Sequence, residues 1–319
     1  MIAGGGLAGH RIAFALQHEA DVTLIDPKNF FEVPMAVPRM LVEPDRAREA
    51  VIPFADFLPK VALIRGSFQS FRPGFVRTDS GEVPFDYLVI ATGAGYSGEL
   101  IKASGGTAGE RSSGLREWAE RIRLANHVLI VGGGPVGVEV AGEILEDLPG
   151  KRLTLAHRGD ALLPGLTPGP QRYALELLRK RGAEVRLGTD VLCEADVVLW
   201  CTGSSGGAGR IAVDAHLRVS GAENVFAVGD VTSLPEPKMG LWAGKHAAVV
   251  IQNLRRLVRG VSVKAVYHPA TDSKTMLVTL GRRHGTGHLP FGDFTNSWFA
   301  RQVKSRDMFI GRYRKGVGL

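Results

Sequence analysis

Two glycine runs in this chain have the spacing G-x-G-x-x-G: Gly4-Gly5-Gly6-Leu7-Ala8-Gly9 and Gly132-Gly133-Gly134-Pro135-Val136-Gly137. That spacing suits phosphate chemistry. Glycine lets the backbone turn sharply and approach a pyrophosphate, whose charge meets the free N–H groups and positive dipole end of a following helix. Asp26 stands seventeen residues beyond Gly9, close to the roughly 20-residue offset of an acid that hydrogen-bonds a ribose 2′-hydroxyl. At the corresponding place after the second run stand His157 and Arg158. That pair can accept a 2′-phosphate instead, which points to NADPH and leaves NADH open.

Each run needs a strand before it and a helix after it. Met1-Ile2-Ala3 leads into the first, residues 10–18 read as a helix, and Val22–Ile25 reads as the next strand. Val128–Val131 leads into the second, with helical spacing from Val138 to Leu145 and a strand over Leu153–Ala156. Two further apolar runs, ending in Ala91-Thr92-Gly93 and Cys201-Thr202-Gly203, each read as a strand closing a nucleotide-binding half. A last one, Asn224–Asp230, sets Gly229-Asp230 at its end. Two dinucleotide sites in one chain suggest a flavin in one and a nicotinamide in the other, with a hydride passed between them.

At 319 residues the chain exceeds what one core organises, so two domains are expected. Two cysteines are too few for a disulfide scaffold and point to a reducing, intracellular, cytoplasmic setting. No uninterrupted apolar run is long enough for a membrane-spanning helix, and no signal peptide is read. The histidines lack zinc-helix spacing, so no metal site is expected, and there is no G-x-S-x-G nucleophile elbow. Charge is uneven: from Arg255 to Leu319 there are thirteen Lys/Arg against three Asp, whereas the whole chain carries only +7. Such an end can attract phosphate-bearing cofactors, an anionic membrane surface or, less favoured here, nucleic acid, and reads equally as a solvated surface.

Taken in order, these five motifs resemble the two-dinucleotide-binding-domain flavoproteins of the pyridine nucleotide-disulfide oxidoreductase superfamily. Within it, Asp26–Pro34, Pro237-Lys238-Met239-Gly240 with His246, and Lys304–Phe309 look most like the apoptosis-inducing-factor-homologue group, including its ferroptosis-suppressor branch and plant relatives. The resemblance implies an α/β fold of two Rossmann-like domains, the second inserted in the first, with a small C-terminal α+β segment. The expected bounds are 1–114 with 206–264 for FAD, 115–205 for NAD(P)H, and 265–319 for the cap. It further implies a quinone reductase using FAD with NADPH or NADH.

Residue by residue, the resemblance puts Gly4, Gly6, Gly9, Asp26 and Lys28 on the adenosine diphosphate half of FAD. Thr92 and Gly93 lie close by, and Asp230, after Gly229, meets the ribitol. Gly132, Gly134 and Gly137, with His157, Arg158 and Gly203, hold the nicotinamide cofactor. Glu139 turns towards the nicotinamide and flavin rings, Lys238 and Met239 sit beside the isoalloxazine, and Lys304 and Phe309 line the quinone side. Glu139, Lys304 and Lys238 are thus the candidate catalytic residues.

Disulfide reductases of the superfamily keep a redox cysteine pair by the flavin. Here Cys193 and Cys201 straddle the strand closing the second half and read as buried apolar thiols. Electrons then pass directly to an acceptor beside the flavin: a quinone, oxygen or an artificial dye. Two features suggest trimming: only three residues precede Gly4, and Gly188 to Asp196 is short for the usual antiparallel meander. Met1-Ile2 lacks a Met-Gly myristoylation signal. Phe291, Phe294, Trp298, Phe299, Met308 and Phe309 interleave with Arg301, Lys304 and Arg306, which suits a folded cap over the flavin or, as the alternative, peripheral membrane contact. Competing readings are a nucleic-acid- or membrane-binding relative with structural cofactors, and a truncated pseudoenzyme.

Overall fold

The computed structural model describes residues 1–95, 100–189, 193–203, 210–295 and 297–319. The apolar runs become strands buried on both faces: Leu24, Ile25, Val89, Ile90 and Phe226 are all at most 1% exposed, as a covered parallel sheet requires. Six strands form the first sheet, in the order Arg218–Val219, Ala222–Ala227, Leu88–Ile90, Ile2–Ala3, Thr23–Asp26 and Ala62–Arg65. Ile2–Ala3 has two residues only, yet it pairs in parallel with a strand on each side, Ile2 opposite both Leu24 and Val89. The helix that follows spans Gly9–Leu16 and stops short of residue 18. Gln17 closes it, its side-chain amide donating to the Phe57 carbonyl.

The second sheet is wholly parallel and runs Glu184–Leu187, Arg152–His157, His127–Val131, Val197–Trp200. Its strands fall in sequence between Leu88–Ile90 and Ala222–Ala227, which are neighbours in the first sheet. The chain therefore leaves the first sheet, builds the second and returns. The expected boundary at 205/206 lies outside the described residues. An antiparallel meander, Phe68–Arg72, Phe75–Thr78 and Gly81–Pro84, attaches to the first half. Among the described residues between Gly188 and Asp196 there is no strand.

The helix Ala108–Leu124 precedes the second sheet and begins with a capping box, Thr107 accepting from Glu110 N–H while the Glu110 carboxylate accepts from Thr107 N–H. Thr107→Ala is expected to cost about 1 kcal/mol, read as a lowered urea midpoint with unchanged slope.

The C-terminal segment is folded. Its antiparallel strands Met276–Thr279, Gly285–Leu289 and Gly292–Phe294 are followed by helical turns at Ser297–Ala300, Arg301–Ser305 and Ile310–Gly316. Met308 and Phe294 pack inward, whereas Phe291 and Trp298 are 74% and 69% exposed. No helix among the described residues is long and apolar enough to cross a membrane.

Candidate nucleotide sites and the acidic helix between them

The two glycine runs form the same cradle twice. Gly4 and Gly132 have φ of +102° and +115°, and a Cβ on either would stand 2.5 Å from a carbonyl oxygen of the neighbouring strand, that of Ala91 or Cys201. At Gly9 and Gly137 the packing is tighter still: a Cβ would lie 1.8 Å from Gly4 O and 1.9 Å from Gly132 O. The middle glycines, Gly6 and Gly134, face open space instead. That is the gap a pyrophosphate needs. Neither following helix has an acid in its first turn, so the positive dipole end of each is free for an anion. The cradles therefore fit the dinucleotides the sequence implies.

Asp26, at the end of its strand, accepts from Gly5 N–H at 2.6 Å through Oδ2, and from Lys28 N–H and Nζ, each at 2.8 Å, through Oδ1. His10 supports the same loop from behind, donating through Nδ1 to Gly6 O at 2.7 Å and stacking on Phe31. Burial pushes its pKa down to about 4, so it stays neutral. In the second cradle His157 takes the place of Asp26: a Cβ on Gly133 would stand 2.8 Å from its Cγ. Burial, then Arg158, holds His157 below the usual histidine value, and Arg158 itself is exposed.

Gly93 and Gly229, at the ends of neighbouring strands of the first sheet, and Gly203, past the closing strand of the second, all adopt positive φ, and Thr92 is exposed. Asp230 is half-buried; burial raises its pKa while Lys102, Lys238 and Arg210 pull it down. Lys238 donates Nζ to the carbonyls of Thr232 and Leu234 at 2.8 and 3.0 Å, so its ammonium is held beside Asp230, and Met239 caps the helix Gly240–Val258. Lys102 was not foreseen. Burial first, then Lys28, lowers its pKa, against the pull of Asp230, Asp26 and Glu32, so it places a cation amid the first site's carboxylates. It matches no motif, which left no signal to find it by.

The helix of the second cradle, Pro135–Asp147, carries Glu139, Glu143 and Asp147 at i, i+4 and i+8, hence on one face. Each meets a cation from elsewhere. Glu139 accepts from Lys304 Nζ at 2.5 Å and from Thr279 N–H at 3.0 Å. Glu143 takes both arms of Arg39, whose guanidinium also donates to Ser305 O at 3.0 Å. Asp147 and Glu43 share Arg282. Arg39 and Glu143 are 1% and 0% exposed, and burial pushes the Glu143 carboxyl up to about 7 against Arg39's pull. Lys304 and Glu139 are likewise buried, so the structure joins the two residues that the sequence assigned to different faces of the flavin. Phe309, half-buried, follows Met308; both have left-handed backbones, φ 65° and 52°.

The reading of both cysteines as buried is corrected. Cys201 is buried, its thiol pushed up to about 12, because its strand backs the glycine loop; Cys193, beyond the strand's other end, is half-exposed.

Two glycine loops of one geometry, each between a parallel strand and a helix within one chain, have the form that a protein binding two dinucleotides needs. Residues 1–198 match the family described as pyridine nucleotide-disulphide oxidoreductase. The chain belongs to that family, which binds FAD and NAD(P)H. It is similar to ferroptosis suppressor protein 1 of Xenopus tropicalis, 31% identical over all of this chain and 95% of that one. It is also similar to apoptosis-inducing factor homolog B of Dictyostelium discoideum, 26% identical over 98% and 95%. Among solved structures, the sulfide:quinone oxidoreductase of Aquifex aeolicus superposes with a TM-score of 0.75 at 19% identity, covering 99% of this chain and 91% of that one.

Proposed function

We propose that this chain oxidises NAD(P)H and delivers the electrons through FAD to a quinone-type acceptor. The reading is carried by where the two cysteines lie. Both flank a strand of the second sheet, so no thiol stands by the first cradle to relay electrons to a disulfide. The acceptor must then meet the flavin directly, and the Aquifex neighbour is named a sulfide:quinone oxidoreductase.

FAD, when bound, supplies the hydride acceptance and the electron delivery. The chain supplies the rest. Gly4, Gly6 and Gly9 would cradle the FAD pyrophosphate, Asp26 with Lys28 would orient the ribose, and Asp230 would hold a ribitol hydroxyl. Gly132, Gly134 and Gly137 would do the same for the nicotinamide cofactor, with His157 and Arg158 favouring a 2′-phosphate. The buried Lys304 ammonium donates to Glu139 Oε1 at 2.5 Å. It can hold or return a proton where the second domain meets the cap, which suits an acceptor that takes up protons on reduction.

Lys304→Met is expected to lower quinone reduction on the order of a hundredfold while flavin content and its bleaching by NADPH stay near wild type. Steady-state ubiquinone reduction checks this; unchanged turnover would remove Lys304 from the mechanism. Exposed Phe291 and Trp298 beside the exposed Arg301 support peripheral membrane contact. The whole reading is tested by anaerobic stopped-flow, watching the visible flavin band on mixing with NADPH or NADH and then with ubiquinone. Bleaching and recovery are expected; a band that neither nicotinamide touches would sink it.

A further inference from the structure

Beneath the Gly-Asp turn lies a buried polar network. Gly229 N–H donates to His246 Nδ1 at 2.9 Å. A backbone N–H can only donate, so Nδ1 must present a lone pair and the ring's proton must sit on Nε2. Nε2 lies 2.7 Å from Glu236 Oε1; its N–H is not aimed squarely at that oxygen, so the contact is electrostatic more than directional. The other Glu236 oxygen accepts from Tyr267 O–H at 2.5 Å and from Ala270 N–H at 3.2 Å. Tyr267 also stands edge-on to the imidazole, ring centroids 4.3 Å apart. The side chains of His246 and Glu236 are both 1% exposed.

We infer that His246 is a positioning residue for the flavin: its neutral, Nε2-protonated ring fixes the Gly229 amide and thereby the Asp230 carboxylate, with Glu236 and Tyr267 holding the ring in that form. The inference rests on the assignment of Asp230 to the FAD ribitol. Gly229 has φ +75°, and its carbonyl accepts from Thr232 N–H and Oγ1–H, so the turn is held from both ends and His246 supplies the N–H end. A second proton on the ring would set two donors face to face at Nδ1, and the turn would have to move.

The charged groups facing the ring are Glu236, which favours the cation, and Lys238, which opposes it; burial is the largest influence and lowers the pKa below the ordinary 6.5. A lowered histidine pKa stabilises the neutral folded form above the ordinary value, and that contribution is lost as pH falls through the folded one. The hold on FAD should therefore weaken in acid.

The experiment is the rate of FAD release from the flavin-loaded full chain, followed by the fluorescence of freed FAD between about pH 8 and pH 5. Wild type is expected to release FAD slowly at high pH and about tenfold faster in acid. In His246→Asn the carboxamide oxygen falls where Nδ1 stands and cannot titrate, so release should stay near the wild-type high-pH rate with no acid step. His246→Leu has no acceptor and should release FAD about tenfold faster at every pH. If the leucine variant holds FAD as tightly as wild type, or the asparagine variant shows the wild-type acid step, the inference is overturned. Should the leucine variant not fold, the wild-type and asparagine profiles decide alone. A wild-type chain that takes up no FAD at any pH would instead overturn the flavin assignment itself, and this inference with it.

Discussion

Gly137→Ala is expected to yield a chain that still carries flavin but is no longer reduced by NADPH or NADH at ordinary concentrations. The added methyl would stand 1.9 Å from Gly132 O, and the atom it meets is backbone. No rotamer can relieve that contact. The helix must back away from the strand end, which opens the loop and misdirects the N–H groups that would grip the pyrophosphate. Overpacking of this kind costs about 1–3 kcal/mol. Taken from nicotinamide binding, that is a loss of up to roughly a hundredfold in Kd. Gly9→Ala has the mirror defect, 1.8 Å from Gly4 O, and is expected to purify without flavin. Flavin absorbance per protein and stopped-flow bleaching separate the two. If both variants lost the same cofactor, the assignment of one dinucleotide to each cradle would be wrong.

The second large effect is an asymmetry within one buried pair. Among the described residues, Glu143→Leu leaves the Arg39 guanidinium one hydrogen-bond partner, the Ser305 carbonyl. A guanidinium cannot shed its proton to escape burial, so the full cost of an uncompensated charge, about 3–5 kcal/mol, is expected. Arg39→Met leaves Glu143 alone, but burial has already brought that carboxyl to about 7, and without its cation it can take up a proton and become neutral. Its cost should be clearly smaller. The double variant, Arg39→Met with Glu143→Leu, should recover most of the stability because both charges are gone. Urea unfolding of the four chains checks this; a glutamate variant milder than the arginine one would contradict it.

Much of the fold was legible because its rules are local. Gly4 to Gly9 and Gly132 to Gly137 need glycine for contacts between atoms a few residues apart or across one strand pair, so the pattern survives in the sequence. The same holds for Asp26, which meets Gly5 at the end of the adjacent strand. The runs Val22–Ile25, Val128–Val131 and Leu153–Ala156 become strands within a residue at either end, whereas the parallel strands Ala62–Arg65 and Glu184–Leu187 were not read from the sequence; Thr23–Asp26 extends to the aspartate because Asp26 still pairs with Arg65.

What escaped lies at long range. Nothing around Arg39 shows that it will meet Glu143, because the pair spans |i−j| of 104 and forms only where the second sheet's helix docks on the first half. Glu139 and Lys304 were each singled out, on opposite sides of the flavin, yet they share one hydrogen bond. Their acidic face was visible as i, i+4, i+8 spacing, which by itself reads as a solvated helix surface. Likewise Glu236, Tyr267 and His246 come together only when the helix Gly240–Val258 folds back over the Gly-Asp turn. Glycine spacing and strand hydrophobicity, which follow from local sterics and burial, determined in the sequence alone that this chain builds the same strand, glycine loop and helix twice. Which buried charges face one another was decided by tertiary docking, because a charge's partner is chosen by the desolvation it must survive and not by its neighbours along the chain.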